Sequence, residues 1–329
     1  AITFEYNERG HKAYRLLEMS AETGQVRTLI EEREEKYVRY SNYSRQSLRG
    51  DSLILWLSER DGYPHLYLFN ATAPSPKKKA TSTHHTSPSP ALSPAPSPAP
   101  SPALSPAPSS SPAPSPALSP VPGWVCGVFA TSASECPSRQ LTSGSWCVRR
   151  VLHIDEEKGL LYFTANGRNP DEDPYHIHYY RIRLDGTDLT DLTPEPAHHN
   201  ARFNDDYTAL IDTYSTQDTA PTTKVRVLGD FVAEKTAPTR STHKSTALGD
   251  SVAEKTLATA DISDLLAAGW TTPEIFVAPG RDGVIPMWGI IQRPTHFDPS
   301  KKYPVIEYIY AGPGDSYTPK SFQPFNYYT

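Results

Sequence analysis

The sequence predicts a mainly β protein, the late blades of a β-propeller followed by the first strands of a second domain. Three observations carry this: an aromatic-rich strand unit that recurs, alternating strand patterns between the copies, and a change of pattern at Thr272.

The recurring unit is Ala13-Tyr14-Arg15-Leu16-Leu17-Glu18 with the turn Glu22-Thr23-Gly24, then His65-Leu66-Tyr67-Leu68-Phe69, then Tyr179-Tyr180-Arg181-Ile182-Arg183-Leu184 with the turn Asp185-Gly186. Tyr14 and Tyr67 lie 53 positions apart, and Tyr67 and Tyr180 lie 113 apart. Subtracting an insert of about 60 residues makes the intervals similar, and about 50 residues suits four short strands per blade. Between the copies, Leu53–Leu57, Leu160–Thr164 and Ala209–Asp212 read as further strands, each before a polar turn. The chain opens on Ala1-Ile2-Thr3-Phe4, already in a strand pattern and without an initiator Met, so it is expected to be cut at its front.

Two inserts interrupt this region. Residues from about 73 to 136 form the first, a Pro/Ser/Ala-rich tract with Lys77-Lys78-Lys79 near its start. Such a tract has too little apolar surface to offset its ordering entropy, so it is expected to be disordered and polyproline-like, and the short lysine run to be a solvated cluster. A translated intron would produce the same composition. The second, from about 223 to 257, holds Leu228–Thr236 and Leu248–Thr256, two copies differing only at Phe231 and Ser251. Two copies make an expanded surface loop, not a solenoid.

From Thr272, Glu274–Ala278, Met287–Ile291 and Val305–Tyr310 read as three strands, the last apolar enough for a buried sheet. The expected domains are therefore 1–271 and 272–329.

Composition narrows the function. A net charge of -5 gives no reason to expect nucleic acid or an anionic membrane as partner, and no apolar run approaches the roughly 18 residues of a membrane span. Cys126, Cys136 and Cys147 lack the paired spacing of a zinc site, so no metal and no cofactor are expected; a Cys126–Cys136 disulfide stays open.

Two stretches carry a family likeness. Trp56-Leu57-Ser58-Glu59-Arg60-Asp61-Gly62-Tyr63-Pro64-His65-Leu66-Tyr67-Leu68, and Arg293-Pro294-Thr295-His296-Phe297-Asp298-Pro299-Ser300-Lys301-Lys302-Tyr303-Pro304-Val305 running into Tyr310-Ala311-Gly312-Pro313-Gly314, resemble the dipeptidyl peptidase IV branch of the prolyl oligopeptidase serine peptidases. The resemblance implies that the second domain is the start of an α/β-hydrolase and that the Tyr310 hydroxyl serves its oxyanion hole. A phenol held at a strand end beside a Gly-Pro turn suits that role, whereas outside the family a strand-end tyrosine would simply pack. No Gly-x-Ser-x-Gly elbow occurs between Ala1 and Thr329, so the nucleophile, and with it the later Asp and His, are absent from the chain. The family's amine-binding glutamates would lie upstream of Ala1.

Several motifs are weaker. Glu31-Glu32 and Glu34-Glu35 are expected in a charged, solvated turn. Gly50-Asp51-Ser52-Leu53 spells an esterase signature without its context, and the overlapping Arg49-Gly50-Asp51 is expected to be a hairpin turn. Asp171-Glu172-Asp173 with His176 and His178 could be drawn as a metal cluster, but His176 and His178 are expected to share one strand face without a well-spaced third ligand. Asn42-Tyr43-Ser44 and Asn70-Ala71-Thr72 are glycosylation sequons, meaningful only on an exported chain.

These readings give a fragment of a serine exopeptidase that releases X-Pro or X-Ala dipeptides from peptide substrates, itself inert without the triad. The resemblance allows a homodimer through the rest of the hydrolase domain, in an exported setting ahead of a cytoplasmic one. The alternative is a non-catalytic propeller module whose Pro-rich tract is a ligand for aromatic grooves.

Overall fold

The computed structural model describes residues 1–39, 44–72, 138–229, 253–310 and 316–324. Four antiparallel sheets follow one another. The first holds β1 (Ile2–Asn7), β2 (Ala13–Met19) and β3 (Val26–Arg33); the second holds β4 (Arg45–Leu48), β5 (Leu53–Ser58), β6 (His65–Asn70) and β7 (Ser138–Gln140). The third holds β8 (Cys147–Asp155), β9 (Leu160–Asn166), β10 (His178–Arg183) and β11 (Thr190–Asp191); the fourth holds β12 (His198–Phe203), β13 (Ala209–Ser215), β14 (Thr222–Val227) and β15 (Ala253–Thr259). Each is a meander in which neighbours in sequence are neighbours in the sheet. Tyr14, Tyr67 and Tyr180, the markers of the repeat, lie on β2, β6 and β10.

Period-two alternation explains how the sheets stack. On β5, Ile54 and Trp56 join Tyr14, Leu16 and Ile30 of the first sheet, while Leu55 and Leu57 join Val148, Leu161 and Phe163 of the third. On β9, Leu161, Phe163 and Ala165 face back to the second sheet, and Leu160 and Tyr162 face forward to Leu210 and Phe203 of the fourth. The inner strands are thus buried on both faces, which is why they read as continuous apolar runs. At roughly 1.5–3 kcal/mol per fully buried large side chain, the three clusters are the main source of stability. Sheet after sheet packed face to face is a propeller-type, mainly β architecture, as the repeat predicts.

The turns follow local chemistry. Gly24 and Gly186 adopt φ of 69° and 83°, the left-handed region that glycine enters without a Cβ penalty. Arg49, Gly50 and Asp51 form the β4–β5 turn, with φ of 50°, 61° and 68°, and Ser52 Oγ donates to Arg49 O at 2.8 Å.

After the fourth sheet comes a five-residue helix, α1 (Ser263–Ala267), which the sequence reading did not anticipate. Its signal is short: Asp261 Oδ1 accepts from Ser263 N at 2.9 Å, Leu265-Leu266-Ala267-Ala268 follow, and Gly269 ends the turn at φ 91°. The hairpin of β16 (Glu274–Pro279) and β17 (Pro286–Ile291) then forms as expected.

Three expectations need correction. Val305–Tyr310 is not a strand: among the described residues nothing pairs with it, and Val305 is 92% exposed, because an extended segment becomes a strand only where a neighbour completes its ladder. Glu31 and Glu32 are not in a turn but on β3, and Glu32 is buried. His176 does not share a strand face with His178, since β10 begins at His178. Of the second expected insert, 223–227 and 253–257 fall on β14 and β15, which pair with each other; residues 230–252, the first insert at 73–136, Cys126, Cys136, Asn42 and Ala311–Gly314 lie outside the described residues.

Candidate functional site

Tyr310 ends the segment that follows Pro304, and it is 73% exposed. Its ring centroid lies 5.6 Å from that of Tyr317, whose ring also lies tilted against that of Tyr308 at 4.9 Å and whose hydroxyl touches the Tyr308 hydroxyl. A phenol so placed is an accessible donor, with no acid or base of the described residues bonded to it.

Tyr317 belongs to a short strap, residues 316–324, that crosses back to the propeller. Lys320 is buried, and its Nζ donates to Asp173 Oδ2 at 2.7 Å. The ammonium also sits 4.9 Å from the Tyr175 ring and 5.8 Å from the Trp288 ring of β17. Phe322 N donates to Ser215 Oγ at 2.9 Å, and the Phe322 ring lies 5.2 Å from Trp270. One segment therefore touches the third sheet's loop, the fourth sheet, the linker and the hairpin.

Beneath this strap is a charged network that the sequence reading only half identified. Glu172, His176 and His178 do come together: His178 Nε2 is 2.9 Å from Glu172 Oε1, His176 Nδ1 is 3.8 Å from Glu172 Oε2, and all three side chains are at least nine-tenths buried. Burial alone would raise the Glu172 carboxyl, but His176 and His178 outweigh it and hold it at about 2. Burial pushes His178 down, yet the bond and charge of Glu172 leave it raised. Among the described residues no carboxylate is bonded to His198; burial and then the charges of His176, His199 and His178 depress it to about 4. Asp171 stays exposed and takes no part.

A second knot was missed altogether. His199 Nδ1 donates to Asp212 Oδ2 at 2.9 Å and its Nε2 is 2.9 Å from Glu195 O; Arg226 reaches Glu195, Asp212 and Glu254, and Lys224 reaches Glu195 at 2.6 Å. The available signal was a charge at an inward position of an alternating strand, Asp212 after Leu210 and Arg226 between Val225 and Val227. The ligand atoms of Glu195, His199 and Asp212 lie within 4.8 Å of one another, close enough to be read as a metal centre. The chemistry argues otherwise: both imidazole nitrogens are engaged, and the carboxylates already hold the Arg226 and Lys224 cations, which would repel another. Burial would raise Glu195, but Arg226 and Lys224 hold it at about 2.

Between the first two sheets a smaller version recurs. Glu32 accepts from Trp56 Nε1 at 2.8 Å and pairs with Arg60, whose guanidinium covers the rings of Tyr67 and Phe69 at 4.9 and 5.0 Å. Ser52, the serine of the esterase-like tetrapeptide, is spent on its own turn.

The family model described as the dipeptidyl peptidase IV (DPP IV) N-terminal region matches residues 1–87 and 125–221, more than half of the chain. The chain is 31% identical over 185 residues to a protein named dipeptidyl-aminopeptidase B of Emericella nidulans, covering 55% of this chain and 18% of that one. Its counterpart in Neosartorya fischeri is 28% identical with the same coverage. Of solved structures, one described as a dipeptidyl aminopeptidase IV of Bacteroides ovatus superposes with a TM-score of 0.58 at 22% identity, over 98% of this chain and 36% of that one. Porphyromonas gingivalis dipeptidyl peptidase 4 gives 0.55 at 16%, over 98% and 33%. The chain thus spans about a fifth of the length of the curated relatives it matches, and at these identities the solved structures speak for the fold. With stacked four-stranded sheets and a family match that passes over only residues 88–124 of its first 221, the chain belongs to the dipeptidyl peptidase IV family, carrying that family's N-terminal region.

Proposed function

We propose that this chain forms the propeller wall and the hydrolase entrance of a serine exopeptidase that removes dipeptides with proline or alanine in second position from the amino end of peptides. The observation that carries the reading is continuity: the chain runs from the sheets the family matches through α1 into the β16–β17 hairpin, and Lys320 of the strap that touches this hairpin is bonded back to Asp173. Residues 1–271 act as propeller, each sheet a blade, and 272–329 as the opening strands of the α/β-hydrolase domain.

In this reading Tyr310 donates from its hydroxyl to the oxygen of the tetrahedral intermediate, where charge develops in the transition state. The serine nucleophile and its Asp and His do not occur within residues 1–329, so acyl transfer needs sequence beyond this stretch and the chain alone turns over no substrate. The complete enzyme acts in an exported setting and dimerises through the rest of its hydrolase domain. The test is a chromogenic Gly-Pro amide. Isolated chain is expected to match the uncatalysed rate, and full-length protein to exceed it; a full-length protein that folds and leaves the substrate intact overturns the reading.

A further inference from the structure

We infer that Asn70 is an N-glycosylation site, the acceptor for an oligosaccharide carried on a polyprenyl diphosphate. The sequon Asn70-Ala71-Thr72 has threonine in its third position and no proline in its second. Sequence alone leaves such a triplet unassigned, because an asparagine whose side chain is buried in the mature fold cannot carry a glycan. Three structural facts assign this one. Asn70 is the last residue of β6, paired with Leu53, and its side chain is exposed, whereas Tyr67 and Phe69, three and one residues before it and so on the opposite face, are buried in the core between the first two sheets. The following backbone is pinned on both sides: Ala71 N donates to Ser52 O at 2.9 Å, and Arg27 Nη2 donates to Ala71 O at 2.7 Å. This fixes the direction in which Asn70 leaves the sheet. Finally, Thr72 N and Thr72 Oγ1 both donate to Asn70 Oδ1, at 3.0 and 2.7 Å.

That last arrangement is an Asx turn with the sequon hydroxyl in it. Both bonds fall on the carbonyl oxygen, so among the described residues the amide nitrogen Nδ2 has no hydrogen-bond partner and is the free end of the side chain. In the transfer, Nδ2 forms a bond to the anomeric carbon of the reducing-end sugar. The bond from that carbon to the diphosphate oxygen breaks, the diphosphate leaves with the electron pair, and Nδ2 gives up one proton to the transferase. No oxidant or reductant is needed. An exposed strand end beyond the packed face can carry the glycan without displacing a core side chain.

Site-resolved peptide mapping of the protein from its own cells tests this, with and without an amidase that cleaves N-glycans. The expected result is an oligosaccharide on the peptide containing Asn70, removed by the amidase with conversion of Asn70 to Asp. An unmodified Asn70 peptide from the native protein overturns the inference. In a secreting eukaryotic host, Asn70→Gln and Thr72→Ala are expected to lose that glycan and Thr72→Ser to keep it; occupancy of Asn70 persisting in Thr72→Ala would overturn the sequon assignment.

Discussion

At the scale of single residues, the sharpest expectation concerns Tyr310. An oxyanion donor acts on charge present mainly in the transition state, so Tyr310→Phe in the full-length protein should cost on the order of 3 kcal/mol of barrier, about a hundredfold in kcat, and leave KM nearly unchanged. A packing tyrosine would keep its ring and its activity. His198 gives a second expectation, in pH. Its ordinary value near 6.5 falls to about 4 on folding, so between those values the unfolded chain binds the proton and the folded chain does not. Stability therefore rises with pH across that window, by on the order of 2 kcal/mol, and the His198→Gln variant should lose that slope in denaturant titrations at stepped pH. His178, raised on folding, works in the opposite sense, its contribution fading as pH climbs through its raised value. Tyr310 stands out in the sequence because a motif surrounds it, and the role given to it rests on the family resemblance. His198, Asp212 and Arg226 were not, because a buried charge is recognisable only from partners that lie on other strands.

At the scale of elements, the strap of residues 316–324 makes the clearest claim. Lys320 and Asp173 are both almost fully buried, and removing one partner leaves the other charge uncompensated, a loss of about 3–5 kcal/mol. Lys320→Met should therefore lower the melting temperature sharply and perturb the fluorescence of Trp270 and Trp288, which flank the strap. Adding Asp173→Asn should recover part of the loss, since the orphaned carboxylate is then neutral. A Lys320→Met variant that melts like the parent would show that the strap does not hold the hairpin to the propeller. Strands were the easiest elements to read: β2, β5, β6, β9, β10, β13, β16 and β17 all carry their alternation or apolar runs in the sequence. The short ones, β4, β7 and β11, depend on pairing with a neighbour rather than on their own pattern. Val305–Tyr310 failed for the converse reason, apolar enough for a strand but without a partner among the described residues. The strap has neither period nor propensity, and only Lys320 marks it.

At the scale of the whole molecule, the propeller was legible from the recurrence of Tyr14, Tyr67 and Tyr180, because each sheet repeats the same burial problem on both faces. Where the Pro-rich tract interrupts the second sheet, β6 and β7 still pair, Phe69 with Ser138, which explains why the repeat survives an insertion between them. The function proposed for the full-length protein is the removal of dipeptides from free amino ends. The most direct measurement incubates the full-length protein with a peptide bearing proline in second position, once with a free and once with an acetylated amino terminus, and weighs the products. A released dipeptide is expected from the free peptide, none from the acetylated one, and none from residues 1–329 alone. Cleavage at internal bonds, release of single residues, or an untouched free peptide would contradict it.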